Sequence, residues 1–355
     1  MKVLFVSSTL TSGGSERVIS LLANHFASKD NEVEIVCLRE PIVFYPIDKA
    51  VKITFAEKEL KRKSLIEKVF WLRHHVKETK PDVVVSFMIL VYLTTLLALL
   101  GVNVPIITSE RNDPASFSWW KRVLRWLLLP TTTCHVVQTQ RIKSYYSKYI
   151  QNKTVVIGNP VTNKVFSVQP EEKQDVIINV ARLFPQKNQE MLIKAFSRIK
   201  DEIPTYNLKI FGEGPLREKL TKLIADEGVG DRILLLGRSQ QVIEEMNRSR
   251  FFVLSSNHEG LSNAMIEAIC IGLPVISTNV SGTEELLEDG MNGLITDVGN
   301  EKQMADAILK LARDGCLRLS MSKENVKKAT SFKESSILKR WTDLVEKVAF
   351  ERKHR

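Results

Sequence analysis

The sequence predicts an α/β protein built from two parallel, doubly wound sheets, one in each half of the chain. Short β-branched apolar runs alternate with helical stretches along most of its 355 residues, as in repeated strand–helix–strand units. Gly and Pro punctuate residues 157–161, and the length suffices for two domains. We therefore predict an N-terminal domain over 1–160, a C-terminal domain over 161–330, and a final helix over 331–355 that packs back toward the N-terminal domain.

The first half is predicted to hold six strands and five helices. The strands are β-branched apolar runs at 2–7, 32–38, 51–55, 83–87, 105–109 and 134–138, and the helices lie at 14–28, 59–79, 89–100, 119–129 and 139–149. The uncharged stretch 83–108 is long enough for a membrane span, for which about 20 apolar residues suffice. Its β-branched ends and helix-prone centre favour instead a strand, a buried helix and a second strand.

The second half repeats this alternation. Strands are predicted at 176–180, 208–212, 233–236, 251–255, 274–278 and 293–296, and helices at 187–200, 215–227, 239–248, 262–271, 282–289 and 300–314. In such sheets, ligands bind outside the carboxyl ends of the strands. Polar residues that follow a strand in this half are therefore candidates for a binding site.

Composition restricts the class of protein. The chain is 44% hydrophobic and 26% charged, as in ordinary globular proteins. Its four cysteines form no C-x-x-C pair, so neither a zinc site nor a disulfide framework is indicated. The apolar run at 3–6 is too short for a signal-peptide core, and we expect a cytoplasmic protein.

The positive charge is confined to one half of the chain. Residues 1–164 hold 23 Lys or Arg and 13 Asp or Glu, whereas the remainder holds 28 of each class. The whole formal excess of +10 therefore lies in the first half, which indicates an anionic partner for that domain. A nucleic-acid binder is one alternative, but the neutral second half and the lack of a helix-turn-helix, zinc or RRM pattern argue against it.

Two carboxylates bracket the start of an apolar helix in the second half. Glu267 lies among Ala, Met and Ile residues, where a buried carboxylate needs a partner. Sugar hydroxyls would supply that partner, because a carboxylate accepts two or more O–H bonds. Glu259 precedes the helix, where free backbone amides favour a bound anion. A phosphate and a sugar bound side by side indicate a sugar-nucleotide site. The alternative is that one of the two carboxylates is a solvated surface Glu and the other is satisfied by a neighbouring Lys.

The spacing of Glu259 and Glu267 resembles the E-x7-E motif of the retaining glycosyltransferases of family 4. Further segments resemble that family in its order along the chain: Ser12 to Arg17, Ala181-Arg182-Leu183 with Gln186-Lys187-Asn188, Phe211 to Leu216, Leu236-Gly237-Arg238, Ala268 to Thr278, and Gly282 to Leu286 with Gly290 to Leu294. The resemblance implies the GT-B fold, with two Rossmann-like domains that face each other across a cleft. It also implies a nucleotide-sugar site in the C-terminal domain and an acceptor site in the N-terminal domain.

The resemblance also implies roles for individual residues. Arg182, Lys187 and Glu259 are expected to be catalytic, with the two cations neutralising the leaving diphosphate. Donor contacts are expected at Gly13, Gly14, Gly212, Gly214, Arg238, Gly260, Leu261, Ser262, Asn263 and Glu267. Acceptor contacts are expected at Glu110, Arg111 and Asn112. Many relatives carry a His where this chain has Arg111, and a permanently protonated Arg cannot act as a base; His258 is the other nearby imidazole.

The expected activity is retaining transfer of a hexose or N-acetylhexosamine to a lipid-linked glycan in cell-surface polysaccharide biosynthesis (O-antigen, capsule or exopolysaccharide). The donor is expected to be a nucleotide sugar, UDP-linked by preference. No Asp-x-Asp occurs in the chain, so we expect metal independence and no cofactor. A nucleotide-sugar epimerase on the same two-domain scaffold is the alternative enzyme.

Two helical segments predict contact with an anionic membrane surface. Residues 60–77 and 119–129 combine apolar side chains at helical spacing with many Lys and Arg, and the second adds three Trp. In the alternative interpretation both apolar faces pack on the first sheet. We expect peripheral attachment to the inner face of the plasma membrane, through the N-terminal domain.

Overall fold

The structure is a computed structural model of the chain and describes residues 1–11, 13–39, 41–161, 163–169 and 171–353. Ser12, part of the glycine-rich N-terminal motif, lies outside the described residues. The chain divides into two compact units. The N-terminal unit comprises Met1–Pro160 and Ser335–Arg355, and the C-terminal unit comprises Val161–Glu334.

The N-terminal unit is built on a seven-stranded sheet whose strands are all parallel, in the order β3-β2-β1-β4-β5-β6-β7. The strands are β1 Lys2–Ser7, β2 Glu32–Cys37, β3 Lys52–Phe55, β4 Val83–Phe87, β5 Ile106–Ser109, β6 Cys134–Val137 and β7 Thr154–Val156. Successive side chains of β1 enter opposite cores, with Val3 and Phe5 in one and Leu4 and Val6 in the other. This alternation explains why the buried strands are continuously apolar.

Helices cover both faces of this sheet. They are α1 Gly14–Ala27, α2 Leu65–Thr79, α3 Ile89–Ala98, α4 Trp119–Leu128, α5 Gln140–Ser144 and α6 Lys148–Asn152, and the last helix of the chain, Glu334–Lys353, also belongs to this unit. That last helix inserts Trp341, Val345 and Val348 into the same core as Phe5 and Phe26 of the N-terminal unit.

The C-terminal unit has a six-stranded parallel sheet in the order β10-β9-β8-β11-β12-β13. Its strands are β8 Val176–Val180, β9 Asn207–Phe211, β10 Ile233–Gly237, β11 Phe251–Leu254, β12 Val275–Thr278 and β13 Gly293–Thr296. Its helices are α7 Gln189–Ile199, α8 Arg217–Asp226, α9 Val242–Arg248, α10 Asn263–Cys270, α11 Thr283–Leu286, α12 Glu301–Arg313 and α13 Gly315–Ala329. The last helix, Glu334–Lys353, is therefore α14. The predicted α/β class with two doubly wound parallel sheets is confirmed.

The uncharged stretch 83–108 forms β4, α3 and most of β5, as predicted. Its central helix has ten residues, eight of which are buried. Across the part of the chain that the structure describes, no helix is long and apolar enough to cross a membrane.

One helix was predicted wrongly, two elements were not predicted, and one predicted helix begins later than expected. The helix predicted at 139–149 is two short helices, α5 and α6, separated by a turn at residues 145–147. Strand β7 was missed because it has three residues, and helix α13 because only three of its fifteen residues are buried, which leaves a weak apolar periodicity. The helix predicted at 59–79 begins at Leu65, where the Ser64 side chain accepts a hydrogen bond from the Glu67 amide at 3.2 Å.

Candidate active site

The candidate site lies at the carboxyl edge of the C-terminal sheet. Strand β8 ends at Val180 and leads into the loop that carries Arg182 and Lys187, whereas β11 ends at Leu254 and leads into the loop that carries Glu259. The two strands are hydrogen-bonded neighbours. Their loops therefore emerge side by side at the edge where doubly wound sheets bind ligands.

Lys187 and Glu259 form an ion pair at this edge. The Lys187 Nζ donates to Glu259 Oε1, and the side chains are 14% and 8% exposed. The Ser256 hydroxyl also donates to Glu259 Oε1, at 2.7 Å. A carboxylate withdrawn from water to this extent requires such partners. The structure thus brings together two of the three residues predicted to be catalytic.

Hydrogen bonds between the two loops hold this ion pair in position. The Gln186 side chain donates to the His258 carbonyl at 2.8 Å, and the Asn257 amide donates to the Gln186 carbonyl at 2.8 Å. The Ser255 hydroxyl donates to the Lys187 carbonyl at 2.8 Å. Because these bonds join the two loops next to the pair, the cation and the carboxylate are presented by a preorganised frame.

Arg182 lies on the same loop but is exposed. Its guanidinium lies over the Phe184 ring at 5.1 Å, and its carbonyl accepts a hydrogen bond from the Gln189 side chain at 3.1 Å. The stacking orients the guanidinium plane, which matches the geometry of a phosphate. Arg182 and Lys187 therefore present two cations of different type, one exposed and one paired.

Gly212 and Gly214 have a structural reason to be glycine, and the donor contacts expected of them stay a prediction. A Cβ added at Gly212 would lie 1.9 Å from the Ala181 carbonyl oxygen, and one at Gly214 would lie 2.3 Å from that of Leu183. Gly212 also has a φ of +144°, which L side chains rarely adopt. Both glycines thus allow the β9 loop to pack against the loop that carries Arg182. Arg238, directly after β10, is exposed.

The two carboxylates differ in burial from the prediction. Gly260, Leu261 and Ser262 are buried, and Ser262 caps α10 by accepting from the Met265 amide at 3.4 Å. Asn263 and Glu267 on that helix are half-buried. Glu259 is the more buried carboxylate and pairs with Lys187 and Ser256, so one of the two carboxylates is satisfied by a Lys, as the alternative interpretation has it.

Gly13 and Gly14 lie in the N-terminal unit, at the start of α1. Gly13 is the N-cap of this helix and Gly14 is exposed. A Cβ at Gly13 would lie 2.1 Å from the Glu16 carboxylate, which also accepts from the Ser15 hydroxyl at 2.8 Å. The helix terminus that was predicted to contact donor phosphate or sugar thus has a carboxylate of its own beside it.

Glu110 is fully buried in the N-terminal unit. Its carboxylate accepts from the Tyr92 hydroxyl at 2.9 Å and from the amides of Arg111 and Asn112 at 2.9 and 3.2 Å. Burial raises the pKa of Glu110 to about 7, against these hydrogen bonds. The carboxylate holds the turn after β5, so its placement gives no support to a direct contact with an acceptor. Asn112 is half-buried on this turn.

Arg111 is buried between two aromatic rings. Its guanidinium lies 5.1 Å from the centre of the Phe87 ring and 5.7 Å from that of Trp341, and Nη1 donates to Asn159 at 2.8 Å. Its Nε and Nη2 have no hydrogen-bond partner within the described residues. Burial lowers the pKa of Arg111 to about 9, opposed by the charge of Glu110. Of the three residues predicted to contact acceptor, Arg111 is the one with buried donors that have no partner within the described residues.

Two residues of this region were not predicted. Ser256, fully buried, holds Glu259; its only signal in the sequence is its place directly after a buried strand. Arg125 lies on α4 of the N-terminal unit; its side chain is buried although the sequence of that helix is amphipathic, and no pattern in the sequence indicates the burial.

Among the described residues, no group of three or more His, Cys, Asp or Glu is placed to hold a metal ion. Metal independence itself stays a prediction.

Two family models match the chain in succession. The model of glycosyltransferase family 4 matches residues 12–164, and that of glycosyl transferases group 1 matches residues 161–328. Among curated relatives, the chain is 27% identical, over 98% of its length and 99% of the relative, to an alpha-1,4-N-acetyl-D-galactosaminyltransferase of Campylobacter jejuni. The name of that relative gives its acceptor as GalNAc-alpha-(1->4)-GalNAc-alpha-(1->3)-diNAcBac-PP-undecaprenol. This chain is also 24% identical to the amylovoran biosynthesis glycosyltransferase AmsD of Erwinia amylovora, over 97% of the chain and 99% of that relative.

Solved structures show the same fold. The Anabaena protein HepE in complex with UDP and glucose superposes with a TM-score of 0.83 at 18% identity, covering 98% of this chain and 99% of that one. The sucrose-phosphate synthase of Thermosynechococcus elongatus also gives 0.83, at 15% identity, with 98% of each chain covered. None of these relatives supports the epimerase alternative. With both halves matched by family models and two Rossmann-like units in the order of the family, the chain belongs to the glycosyltransferases of family 4 and has the GT-B fold.

Proposed function

We propose that this glycosyltransferase is a retaining, metal-independent enzyme that transfers a hexose or N-acetylhexosamine from a UDP-sugar to a lipid-linked glycan in bacterial cell-surface polysaccharide biosynthesis. The observation that carries the proposal is the Lys187–Glu259 ion pair at the carboxyl edge of the C-terminal sheet. The UDP complexes of the Anabaena protein and the polyprenyl-diphosphate acceptor named for the Campylobacter enzyme support the choice of donor and acceptor.

In this mechanism the donor diphosphate binds beside Lys187 and Arg182. The ammonium exchanges part of its interaction with Glu259 for the developing negative charge of the leaving group, and the exposed guanidinium of Arg182 contacts the phosphate oxygens. The half-buried Glu267 accepts hydrogen bonds from the ribose hydroxyls. Glu259, held by Ser256, keeps the cation in place before the donor arrives.

The transfer step needs no enzymic nucleophile. The acceptor hydroxyl attacks the anomeric carbon on the face from which the diphosphate departs, so the configuration is retained. The new glycosidic bond forms as the bond to the phosphate oxygen breaks, and that oxygen takes the proton of the hydroxyl. Lys187, Arg182 and the amides at the start of α10 stabilise the negative charge, which is the main catalytic contribution in such a step.

The N-terminal unit is proposed to attach to an anionic membrane surface. Residues 1–164, nearly all of which lie in this unit, carry the formal excess of +10, and α2 exposes Leu65, Ile66 and Phe70 next to the exposed cations Lys61 to Lys63. Two Lys or Arg residues of the segment 60–77 make contacts within the protein and are not available to a membrane surface. Lys68 pairs with Glu57 at 2.8 Å, and Arg73 donates to the carbonyls of residues 98 and 100.

The proposal is tested with UDP-sugars, a lipid-linked acceptor and excess EDTA. Product should form only with acceptor present, keep the anomeric configuration of the donor by NMR, and persist in EDTA. Lys187→Ala should lower kcat on the order of 10²-fold, by analogy with the loss of an oxyanion donor. Lys194→Ala, an exposed cation on α7, should leave kcat unchanged. Activity that vanished with EDTA and returned with Mn²⁺ would refute metal independence, and conversion of the UDP-sugar without acceptor would indicate an epimerase.

A further inference from the structure

Helix α4 presents its apolar face outward and directs Arg125 inward. Trp119 and Trp126 are each 76% exposed, and Val123 and Leu127 on the same face are exposed as well. Arg125, by contrast, is 5% exposed. A helix of a globular domain normally turns its apolar stripe toward the core, so this reversed orientation marks a surface that binds something apolar.

The buried Arg125 explains why the helix adopts this orientation. Its guanidinium lies over the rings of Phe117, Tyr145 and Tyr146 at 5.7, 5.1 and 5.3 Å, and Nη1 donates to the Pro114 carbonyl at 3.4 Å. Several ring contacts and a hydrogen bond replace the water lost by the charge. The exposed face of α4 is therefore fixed by Arg125 on the opposite side.

A groove runs between α4 and the segment that contains α6. It encloses about 980 Å³ and is lined, among others, by Trp119, Arg122, Trp126, Leu127, Tyr145 and Tyr149; we refer to it as the α4–α6 groove. Its volume is at the upper end of the range for ligand pockets, roughly 300–1,000 Å³. Its walls are mainly apolar and aromatic, which suits a hydrocarbon chain.

The chain segment that lines the groove carries only positive formal charges. Residues 114–153 contain seven Lys or Arg and no Asp or Glu. Arg122 lines the groove itself, Lys153 lies over the Tyr149 ring at 4.7 Å, and Lys121 lies over the Trp120 ring at 5.3 Å. An apolar chain that ended in a diphosphate would place its chain against the aromatic walls and its anionic end on these cations.

Ring contacts connect the floor of the groove to the turn after β5. Tyr146 lines the groove and its ring lies 5.0 Å from that of His135, which lies 6.1 Å from Tyr92. Tyr92 donates to Glu110, next to Arg111. The groove and the predicted acceptor residues thus belong to one packed cluster of the N-terminal unit.

We infer that the α4–α6 groove binds the chain and diphosphate of the lipid that carries the acceptor glycan. This inference rests on the proposed function, because that function supplies a lipid-linked acceptor. The groove would hold one lipid molecule, with Arg122 on the diphosphate and the indoles of α4 along the chain. It differs from attachment to a bilayer in being a saturable site for a single lipid.

The test uses farnesyl diphosphate at concentrations at which it is monomeric, with binding measured by titration calorimetry. Saturable binding at one site is expected, with inorganic diphosphate and monomeric lysophosphatidylglycerol each at least tenfold weaker. Ser147→Trp should weaken the binding at least tenfold by filling the groove, because Ser147 lines it and its hydroxyl makes no cap hydrogen bond. Ser144→Trp, on α5 and outside the groove lining, is the matched control.

Several outcomes would overturn the inference. They are no saturable binding of farnesyl diphosphate, equal affinity of the Ser147→Trp and parent proteins, or lysophosphatidylglycerol binding as tightly, which would indicate a general lipid surface. UDP binding and transfer to an acceptor without a lipid chain are measured on the same proteins. If these persist while farnesyl diphosphate fails to bind, the groove inference falls and the proposed function stands; if both are absent, the proposed function falls as well.

Discussion

At the scale of single residues, burial separates charged groups that the fold has paired from those it leaves at a surface. Glu110 and His135 lie in one buried cluster of the N-terminal unit with Tyr92 and Tyr146. Lys187 and Glu259 neutralise each other in the C-terminal unit, whereas Arg182 and Arg238 stay exposed. The exposed cations are the ones able to meet a phosphate without breaking an internal ion pair.

Glu267 is predicted to bind the ribose of the donor. Glu267→Gln keeps the shape of the side chain but removes the charged acceptor, so UDP binding should weaken by about 1–3 kcal/mol, the cost of a charge-assisted hydrogen bond. Titration calorimetry measures this, with Glu218→Gln, an exposed carboxylate on α8, as the control. Normal UDP affinity in the Glu267 variant together with a lower Tm would show a structural role instead.

The raised pKa of Glu110 predicts a pH-dependent stability. With a folded pKa of about 7 and an ordinary value of 4.5, the folded state holds a proton between these pH values that the unfolded state has lost. The free energy of unfolding of the parent protein should therefore fall, through this group, as pH rises from 4.5 to 7. Glu110→Gln lacks this loss, so its stability relative to the parent should increase over that interval and level off above pH 7.

Urea unfolding at pH 5 and pH 7.5 measures the difference between the Glu110→Gln and parent proteins. His135 acts in the opposite direction: burial, with the charge of Arg125, lowers its pKa to about 3, so stability through His135 rises with pH up to 6.5. Both proteins retain His135, and its contribution cancels in the comparison. A difference that did not change with pH would contradict the assignment of Glu110.

At the scale of elements, α2 and α4 expose their apolar residues to different extents. Helix α2 buries Leu72 and Val76 and exposes Leu65, Ile66 and Phe70 of its first two turns. Helix α4 exposes almost its whole apolar face. The interpretation that both faces pack on the sheet thus holds for part of α2 and fails for α4, because Arg125 occupies the inward position.

These two helices predict binding to anionic vesicles. The protein should sediment with anionic but not with neutral vesicles and be released as salt rises, since each Lys or Arg near the surface contributes about 1 kcal/mol that ions screen. Reversal of five charges on or beside the helices should abolish this binding and leave UDP affinity unchanged; they are Lys61, Arg62, Lys63, Lys121 and Arg122.

The matched control reverses five exposed lysines of the C-terminal unit, namely Lys194, Lys222, Lys302, Lys310 and Lys323. It alters the net charge equally but should retain vesicle binding. Equal loss in both variants would assign the binding to net charge alone, and equal binding to neutral vesicles would exclude an electrostatic contribution.

At the scale of the whole molecule, the chain ends in the unit in which it began. Trp341 of α14 is fully buried, stacks on Phe87 at 5.6 Å and lies against Arg111. The C-terminal helix is therefore part of the core that supports the predicted acceptor residues.

Trp341→Ala should destabilise the N-terminal unit by about 3–5 kcal/mol, the usual cost of truncating a buried Trp to Ala. Lys347→Ala, 71% exposed on the same helix, should leave stability within about 0.5 kcal/mol. Chemical denaturation followed by far-UV circular dichroism measures both. A Trp341 variant as stable as the parent would show that α14 is dispensable for this unit.

Much of the fold and the family was predictable from the sequence because two signals are strong, the periodicity of the apolar residues and the order of the motifs. The apolar runs of the strands and the alternation with helices predict two parallel sheets, and the order of motifs from Gly13 to Gly293 predicts the family. Arg182, Lys187 and Glu259 could be named because they lie in motifs that resemble those of the family. Their places after strands of one parallel sheet support this, since parallel strands carry their loops to one edge.

Only the tertiary structure decided which charges are paired and which way α4 faces. The Lys187–Glu259 pair joins residues 72 positions apart, and Arg125 turns inward because three aromatic rings from 117, 145 and 146 surround it. Periodicity reports which residues share a face of a helix but not which face is covered. That choice depends on contacts between segments distant in sequence, and a single amphipathic pattern is compatible with either orientation.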